Sequence, residues 1–281
     1  MRFSRPFATS PNSLEAFIAR AKEAGRQILP GIDVEVFWDG MWIFRVGRDC
    51  FPIPDNAEAE NLPWRSLQGL AAQYLSDAED FWFHIYRPKP GDVVVDIGAG
   101  RGEDTFAFSR AVTASGRVFA LEPHPVSFAA LNKFCSLNGL SNVAVLNLAC
   151  VAQPGKLQIE TLQDWPSNYT REGDASATSF AVDGVPFDWI WKKYDIGRID
   201  FLKMNIEGGE RVALEGCRMA LGHTSTVCVA AHDFRADRGE GEWFRTTEFV
   251  RKFLTERGFH LIPRHDSRPW ARDHIHATRL P

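Results

Sequence analysis

The sequence VVVDIGAGRGEDTFAF, Val93 to Phe108, joins an apolar run to three alternating glycines and then to a segment with helical spacing. The apolar run is typical of a strand buried on both faces, and residues 103–112 predict an α-helix. A strand that passes directly into a helix leaves unpaired N–H groups and the positive end of the helix dipole at one spot. Because glycine lets a ligand approach the backbone closely, this turn predicts a binding site.

Strand patterns alternate with helix patterns from Asp92 onward. The strand-like segments are DVVVDI, RVFALE, NVAVLNLA, IDFLKMNIE, TSTVCVAAH and FHLIP, with helix-like segments between them. Parallel neighbours cannot be joined by tight turns, so this alternation predicts a doubly wound α/β fold. Residues 81–281 are expected to form this domain.

The first 80 residues predict a small appendage. Its three predicted pieces are a helix over 14–27 capped by Ser13, a hairpin over 34–46 that turns at Asp39-Gly40, and a connecting loop over 51–64. We expect this part to cap the larger domain or to form a homo-oligomer contact.

Composition narrows the class of protein. The 281 residues include 32 basic and 36 acidic side chains, for a net charge of −4, and no basic run that would follow a phosphate backbone. Five scattered cysteines without a C-x-x-C pair are expected to be reduced. No apolar run approaches the length of a membrane span. We therefore expect a soluble cytoplasmic protein without nucleic-acid or membrane partners.

Two acidic residues define the ligand that the glycine turn would accept. Asp96 precedes the first glycine by two positions, and Glu122 ends the next strand, 22 positions beyond Gly100. A carboxylate at the strand end repels a pyrophosphate and attracts a cation, whereas an acid at the position of Glu122 suits a ribose diol. Glu103 also stands where a dinucleotide fingerprint requires glycine. Together these residues predict a nucleoside ligand with a charged tail that lacks phosphate.

The same residues resemble those of S-adenosylmethionine-dependent methyltransferases and, more narrowly, of the FkbM-like family. The resemblance is carried by KPGDVVVDIGAGRGEDTFAFS, VFALEPHPVSFAALNKFCSLNGLSNVAVLNLA and IDFLKMNIEGGERVALEGC, and covers residues 82–261. It implies a seven-stranded Rossmann-like sheet that binds S-adenosylmethionine, with Glu122 on the ribose hydroxyls and Leu148 and Ala149 beside the adenine. The cofactor-binding residues that it implies are Asp96, Gly98, Ala99, Gly100, Gly102, Thr105, Glu122, Pro123, Leu148, Ala149 and Asn205.

A second polar group follows the strand IDFLKM. Lys203, Asn205 and Glu207 alternate, so an extended strand would turn them to one side, where burial demands partners. Lys203 either pairs with Asp200 or Glu207 as a structural residue or belongs to the site. The resemblance makes Asn205 and Glu207 catalytic candidates, although the family usually has Asp where this chain has Asn205. An uncharged amide is a poor base and a poor ligand for a hard metal.

His232 follows the strand TSTVCVA at the same edge of the predicted sheet. An imidazole with an ordinary pKa near 6.5 suits proton removal at neutral pH, so His232 is the candidate general base, with a structural role as the alternative. Asp233 is expected to point away, unless a turn brings it round to orient the imidazole. His274 and His276 share a strand face but lack a third ligand, so we expect no metal.

These observations favour an S-adenosylmethionine-dependent methyltransferase that methylates a small-molecule acceptor by direct in-line displacement. The resemblance favours a hydroxyl oxygen on a small metabolite or sugar. We expect the polar segment 163–184 to cover the acceptor, with Trp165 or Tyr169 as an apolar wall. The alternatives are a catalytically silent cofactor-binding module and a nicotinamide-dependent oxidoreductase.

Overall fold

The computed structural model describes residues 11–62, 64–160, 170–171 and 179–279. A helix, a three-stranded sheet and three further helices precede the central sheet. They are α1 (Pro11–Ile28), β1 (Val34–Trp38), β2 (Trp42–Val46), β3 (Asp49–Ile53), α2 (Asn56–Glu60), α3 (Trp64–Leu67) and α4 (Leu70–Phe81).

The predicted hairpin is confirmed, because β1 pairs antiparallel with β2 and Gly40 has a φ of +73° in the turn between them. The predicted cap is wrong: α1 begins at Pro11, so Ser13 lies inside the helix rather than before it.

The predicted loop over 51–64 is also wrong, since the segment contains the end of β3 and all of α2. Pro52 contributed to the prediction of a loop, because proline is rare inside strands. It is tolerated here because β3 is an edge strand, where a missing N–H need not remove a hydrogen bond between strands. Asp55 then caps α2 by accepting a 2.8 Å hydrogen bond from the Glu58 N–H.

The remaining elements build the predicted α/β alternation. They are β4 (Val93–Ile97), α5 (Glu103–Val112), β5 (Arg117–Leu121), α6 (Pro125–Leu137), β6 (Val143–Leu146), β7 (Ala149–Cys150), β8 (Gly155–Glu160), β9 (Thr170–Arg171), β10 (Ser179–Val185), α7 (Phe187–Lys193), β11 (Ile199–Met204), α8 (Glu210–Glu215), β12 (Thr224–Ala230), α9 (Asp233–Asp237), α10 (Thr247–Thr255), β13 (His260–Ile262), α11 (Pro269–Arg272) and β14 (His274–Thr278). Short 3₁₀ helices lie at Ala220–His223 and Glu242–Phe244.

The central sheet has seven strands in the order β13-β14-β12-β11-β4-β5-β6. The five strands from β12 to β6 are parallel, whereas β14 runs antiparallel to both of its neighbours. The doubly wound α/β fold is therefore confirmed, with a mixed sheet rather than a wholly parallel one. The chain builds outward from β4 through β5 to β6, and later returns to place β11 on the other side of β4. The carboxyl ends of β4 and β11 thus flank a topological switch point, where open α/β sheets bind ligands.

A second sheet, in the order β7-β10-β8-β9, lies beside this edge. β8 pairs antiparallel with β10 from Ser179↔Glu160 to Gly184↔Gly155. The predicted insertion over 163–184 therefore ends in a strand rather than in a loop. Trp165 and Tyr169 lie outside the described residues.

The N-terminal elements pack against α5 and α6 through a shared apolar cluster. Phe51 and Tyr74 lie with ring centroids 6.5 and 6.3 Å from that of Phe134 on α6. The side chain of Asn138 accepts from the Cys50 N–H at 3.0 Å and donates to the Cys50 carbonyl at 2.8 Å.

Among the described helices, none combines the length and the apolar character needed to cross a membrane.

Candidate functional site

The turn after β4 is shaped by glycines with different tasks. Gly98 has a φ of +82°, and a Cβ built there would lie 1.9 Å from the Asn205 carbonyl oxygen. Gly98 is therefore required for the close approach of the turn to the segment after β11. A Cβ at Gly102 would lie 2.9 Å from Leu131 and Phe134, so this glycine lets α5 pack on α6.

Gly100 differs from both, since a Cβ there would meet within 4 Å only the Glu103 carboxylate, at 3.4 Å. Its φ of +58° favours glycine, but its bare face adjoins open space in the cleft. This is the position at which a ligand can press against the backbone.

A cleft of about 720 Å³ opens at the switch point, a volume suited to a small-molecule ligand. It brings together most of the predicted site residues. Those that line it are Gly98, Ala99, Gly100, Glu122, Pro123, Leu148, Ala149, Asn205 and Glu207. Asp96, Gly102, Thr105 and His232 are buried and do not line it.

Asp96 supports the turn from behind. Its carboxylate, fully buried, accepts hydrogen bonds from Thr105 Oγ1 at 2.6 Å and from Lys203 Nζ at 2.8 Å. Lys203 also donates to the Gly98 carbonyl at 2.8 Å and lies 3.1 Å from Asp104 Oδ2. The alternative in which Lys203 pairs with Asp200 or Glu207 is therefore wrong. The ammonium group instead holds the strand end of β4, the turn and the first turn of α5 together.

Glu122 joins the ends of β4 and β5. Its carboxylate accepts a 2.9 Å hydrogen bond from the Gly100 N–H and another of 2.9 Å from the His124 N–H. Burial raises the pKa of Glu122 to about 7, against the opposing effect of these two donors. The carboxylate therefore lies at the glycine turn with its charge largely withdrawn from water.

The cleft is acidic. Its lining includes four carboxylates, from Glu103, Asp104, Glu122 and Glu207, and no lysine or arginine among the residues that the structure describes. His124 adds no cation at neutral pH, because burial lowers its pKa to about 4. Such a lining favours a cationic ligand and disfavours a phosphate.

One wall of the cleft is apolar. Leu148 and Val151, which border β7, line this wall together with Leu157 and Ile159 of β8. Val151 packs in one apolar cluster with the two β8 residues. Aliphatic side chains of this kind suit the faces of a flat aromatic ring. The apolar wall thus includes Leu148, which the family resemblance places beside the adenine, and also residues of β8, which the sequence analysis did not name.

β11 ends at Met204, so the alternation predicted for Lys203, Asn205 and Glu207 does not extend past the strand. The Asn205 N–H donates to the Ile97 carbonyl at 2.9 Å, while its side-chain Oδ1 finds no hydrogen-bond partner among the described residues. Glu207 has a φ of +51°, a backbone conformation that residues other than glycine rarely adopt. Such backbone outliers cluster at ligand sites.

Glu207 is held by two cations that lie behind it. Arg235 Nη1 donates to Glu207 Oε2 at 2.6 Å, and His232 Nε2 lies 3.2 Å from Glu207 Oε1. Burial by itself would raise the pKa of Glu207, but hydrogen bonds from His232 and Arg235 lower it below its ordinary value. Glu207 therefore presents an ionised carboxylate to the cleft.

The expectation that His232 keeps an ordinary pKa is wrong. Its Nδ1 lies 3.4 Å from Glu210 Oε1, an ion-pair distance without the alignment of a hydrogen bond. Burial opposes the charged ring, but the carboxylates of Glu207 and Glu210 raise the pKa of His232 to about 10. At neutral pH the imidazole is already protonated, so the structure favours a positioning role for His232 behind Glu207.

Asp233 does not orient the imidazole. Its Oδ1 accepts from the N–H groups of Thr246 at 2.9 Å and Thr247 at 3.0 Å, and so fixes the start of α10.

His274 and His276 lie on β14, where burial lowers their pKa values to about 4 and about 3. Within the described ranges, no group of three or more His, Cys, Asp or Glu side chains could hold a metal ion.

Several residues at the site escaped the sequence analysis. Glu103 was considered in the sequence analysis only because a dinucleotide fingerprint has glycine at that position. An acid that follows a glycine turn is also a signal for the first turn of a helix. Trp243 lines the cleft with 47% of its surface exposed, and nothing in its local sequence distinguishes it from the other eight tryptophans. Arg235 and Glu210 reach the site from other elements.

The solved structures similar to this chain include two methyltransferases and a fibrillarin. The FkbM methyltransferase from Methylobacillus flagellatus is 17% identical over 92% of this chain, with a TM-score of 0.48, and this chain spans 58% of its length. Fibrillarin from Aeropyrum pernix, solved with natively bound S-adenosyl-L-methionine, is 15% identical over 89% of this chain and 84% of its own, with a TM-score of 0.43.

An S-adenosylmethionine-dependent O-methyltransferase from Thermotoga maritima is 16% identical over 75% of this chain and 64% of its own, with a TM-score of 0.39. A search of curated proteins found no match. The profile of the methyltransferase FkbM domain matches residues 96–261, which is more than half of the chain and includes the residues that line the cleft, from Ile97 to Trp243. The protein therefore belongs to the FkbM methyltransferase family.

Proposed function

We propose that this methyltransferase binds S-adenosylmethionine in the cleft and transfers its methyl group to a hydroxyl oxygen of a small metabolite or sugar. The observation that carries the proposal is Glu122, whose carboxylate lies at the glycine turn in a cleft that contains acids and no lysine or arginine among its described residues. Gly98, Gly100 and Glu122 would hold the cofactor, and its chemical contribution is an electrophilic methyl group on a sulfonium sulfur.

The cleft fits this cofactor in three respects. The apolar wall of Leu148, Val151, Leu157 and Ile159 suits an adenine ring. The Glu122 carboxylate can accept hydrogen bonds from the two ribose hydroxyls. The remaining carboxylates complement a ligand that carries both a sulfonium and an ammonium group.

The same charges argue against the nicotinamide alternative. A dinucleotide would bring its pyrophosphate to the glycine turn, where the Glu103 carboxylate lies in the first turn of α5 and the described lining residues include no lysine or arginine. Like charges in a partly buried cleft repel strongly. Glu103 also takes the place of the third glycine of the dinucleotide fingerprint.

The residues at the end of β11 are placed to receive the acceptor. We assign Glu207 to accept a hydrogen bond from the attacking hydroxyl, since its carboxylate is ionised and lines the cleft next to Asn205. Its lowered pKa makes it a weak base, so its main contribution is to orient the hydroxyl lone pair toward the methyl group. His232 and Arg235 hold Glu207 in that position.

This proposal is tested by the release of S-adenosylhomocysteine when the protein is incubated with S-adenosylmethionine and a panel of hydroxylated metabolites and sugars. We expect turnover with at least one hydroxylated acceptor, and a loss of about a hundredfold in Glu207→Gln. Cofactor binding with no turnover on any acceptor would favour the silent binding module, in which Asn205 replaces the Asp usual in the family.

A further inference from the structure

An exposed indole lines the cleft in which the cofactor and the acceptor would meet. Trp243, in the short 3₁₀ helix Glu242–Phe244, leaves 47% of its surface exposed. Val212 on α8 also lines the cleft, with the same fraction exposed. Large apolar side chains that are exposed inside a cleft indicate a contact with a ligand.

The indole of Trp243 is held in place by its neighbours. A Cβ built on Gly241, whose φ is +141°, would clash with the six-membered part of the indole, so the ring packs directly against bare backbone. The next residue, Phe244, is buried, and the Arg235 guanidinium lies over its ring at 4.1 Å from the centroid. Because Arg235 also binds Glu207, one side chain helps to position both the indole and the carboxylate.

Trp243 lies beside the segment that follows β11. A Cβ built on Gly208 would lie 3.2 Å from Trp243 Cδ1, and Gly208 is the neighbour of Glu207. Glu210 joins the two segments, since its Oε1 accepts from the Gly208 N–H at 3.1 Å and its Oε2 accepts from Thr246 Oγ1 at 3.0 Å. The indole is therefore fixed close to the carboxylate that is assigned to the acceptor hydroxyl.

We propose that Trp243 is a specificity-determining residue on which an uncharged pyranose ring of the acceptor stacks. This inference rests on the proposed function, in which Glu207 orients the acceptor hydroxyl. A pyranose has a face of C–H groups that can pack on an indole and a rim of hydroxyls that can donate to an ionised carboxylate. A phosphate or carboxylate on the sugar would be repelled, because the described lining contains acids and no lysine or arginine.

The polar groups beside the indole favour a pyranose over a phenol. Glu207 and Asn205 both line the cleft, and Asn205 Oδ1 has no hydrogen-bond partner among the described residues. Together these side chains offer more hydrogen-bonding atoms than the single hydroxyl of a phenol can use. Several neighbouring hydroxyls on one ring would use them better.

The test is calorimetry on the full chain saturated with S-adenosylhomocysteine. The probes are methyl pyranosides, the acyclic alditols that correspond to them, and phenol. We expect at least one pyranoside to bind more tightly than its alditol and than phenol. Trp243→Ala should weaken that pyranoside by about tenfold or more and remove its preference over the alditol, while Trp243→Phe should retain most of both.

Two controls separate the role of the indole from an effect on the fold. Trp189→Ala changes a tryptophan that is similarly exposed, at 45%, but lies on α7 and does not line the cleft, so it should retain the preference. All three variants should bind S-adenosylhomocysteine as the wild type does. In turnover with S-adenosylmethionine and the same pyranoside, Trp243→Ala should raise KM by about the same factor and change kcat much less.

Each result has a distinct meaning. If S-adenosylhomocysteine does not bind the wild type, the proposed function fails and this inference fails with it. If it binds but no pyranoside is preferred over its alditol, or if Trp243→Ala keeps that preference, the proposed function stands and the role of Trp243 is refuted. Tighter binding of phenol than of every pyranoside, or a loss of S-adenosylhomocysteine binding in both Trp243 variants, would also overturn the inference.

Discussion

At the scale of single residues, the site depends on where side chains are excluded. Gly98 and Gly31 both have φ values near +80°, but only Gly98 faces backbone: a Cβ there would lie 1.9 Å from the Asn205 oxygen, whereas Gly31 has nothing within 4 Å. The sequence showed that the turn needed glycines. It could not show that Gly98 serves the approach of two loops, Gly100 the ligand space and Gly102 the packing of α5.

This contrast gives a matched pair of variants. Gly98→Ala should lower the free energy of unfolding by about 2–4 kcal/mol, since a strained φ and a backbone clash act together. Gly31→Ala should cost only about 1–2 kcal/mol, the cost of the left-handed conformation alone. Chemical denaturation measures both, and equal losses would show that the Gly98 turn can move away from Asn205.

The pKa of Glu122, about 7, predicts how cofactor binding depends on pH. Ribose hydroxyls donate to the ionised carboxylate, so below pH 7 binding must first remove a proton from Glu122. The affinity for S-adenosylhomocysteine should be nearly constant above pH 7 and fall by up to about tenfold per pH unit below it. Glu122→Gln should lose most of this dependence in calorimetric titrations. A wild-type affinity unchanged between pH 7 and pH 5.5 would contradict the assignment.

At the scale of elements, periodicity predicted the α/β alternation well because β4, α5, β5 and α6 carry long and regular apolar patterns. Periodicity failed for short segments. It missed β3, an edge strand that contains a proline, and it predicted strand alternation for residues that follow the end of β11. The pKa of His232 could not be predicted, because Glu207 reaches it from the segment between β11 and α8 and Glu210 from the start of α8, while His232 itself follows β12.

The ion pairs of His232 with Glu207 and Glu210 predict how the free energy of unfolding depends on pH. The folded-state pKa of His232 is about 10, above the ordinary value of 6.5, so its stabilisation is complete below pH 6.5 and is lost as the pH rises through 10. The stability advantage of wild type over His232→Gln should shrink by roughly 2–4 kcal/mol between pH 6.5 and pH 9, at about 1.4 kcal/mol per pKa unit. The exposed His265→Gln is the control. An advantage that stays constant over this range would mean that His232 is not held as a cation.

At the scale of the whole molecule, the N-terminal part and the central sheet share apolar contacts. The sequence predicted an appendage that would cap the larger domain or form a homo-oligomer contact. It did not predict the contact surface with the larger domain, because that surface combines β3 and α4 with α6. Asn138 joins the two parts by pairing with both backbone groups of Cys50.

We expect Asn138→Ala to cost about 1–3 kcal/mol, because the Cys50 N–H and carbonyl would lose their partner in a partly buried place. Thermal unfolding should remain a single transition at a lower temperature. The exposed Gln27→Ala, which loses only a hydrogen bond within α1, should have little effect. Two separate transitions in Asn138→Ala would show that the two parts unfold independently.

The central claim is that the acidic cleft at the β4 turn binds S-adenosylmethionine through Glu122, and calorimetry of the purified protein tests it most directly. We predict that S-adenosylmethionine binds and NAD does not, that Glu122→Ala weakens cofactor binding by about 1.5–3 kcal/mol, and that the exposed Glu256→Ala leaves it unchanged. Binding of NAD instead of S-adenosylmethionine, or an affinity for S-adenosylmethionine that survives Glu122→Ala intact, would contradict the claim.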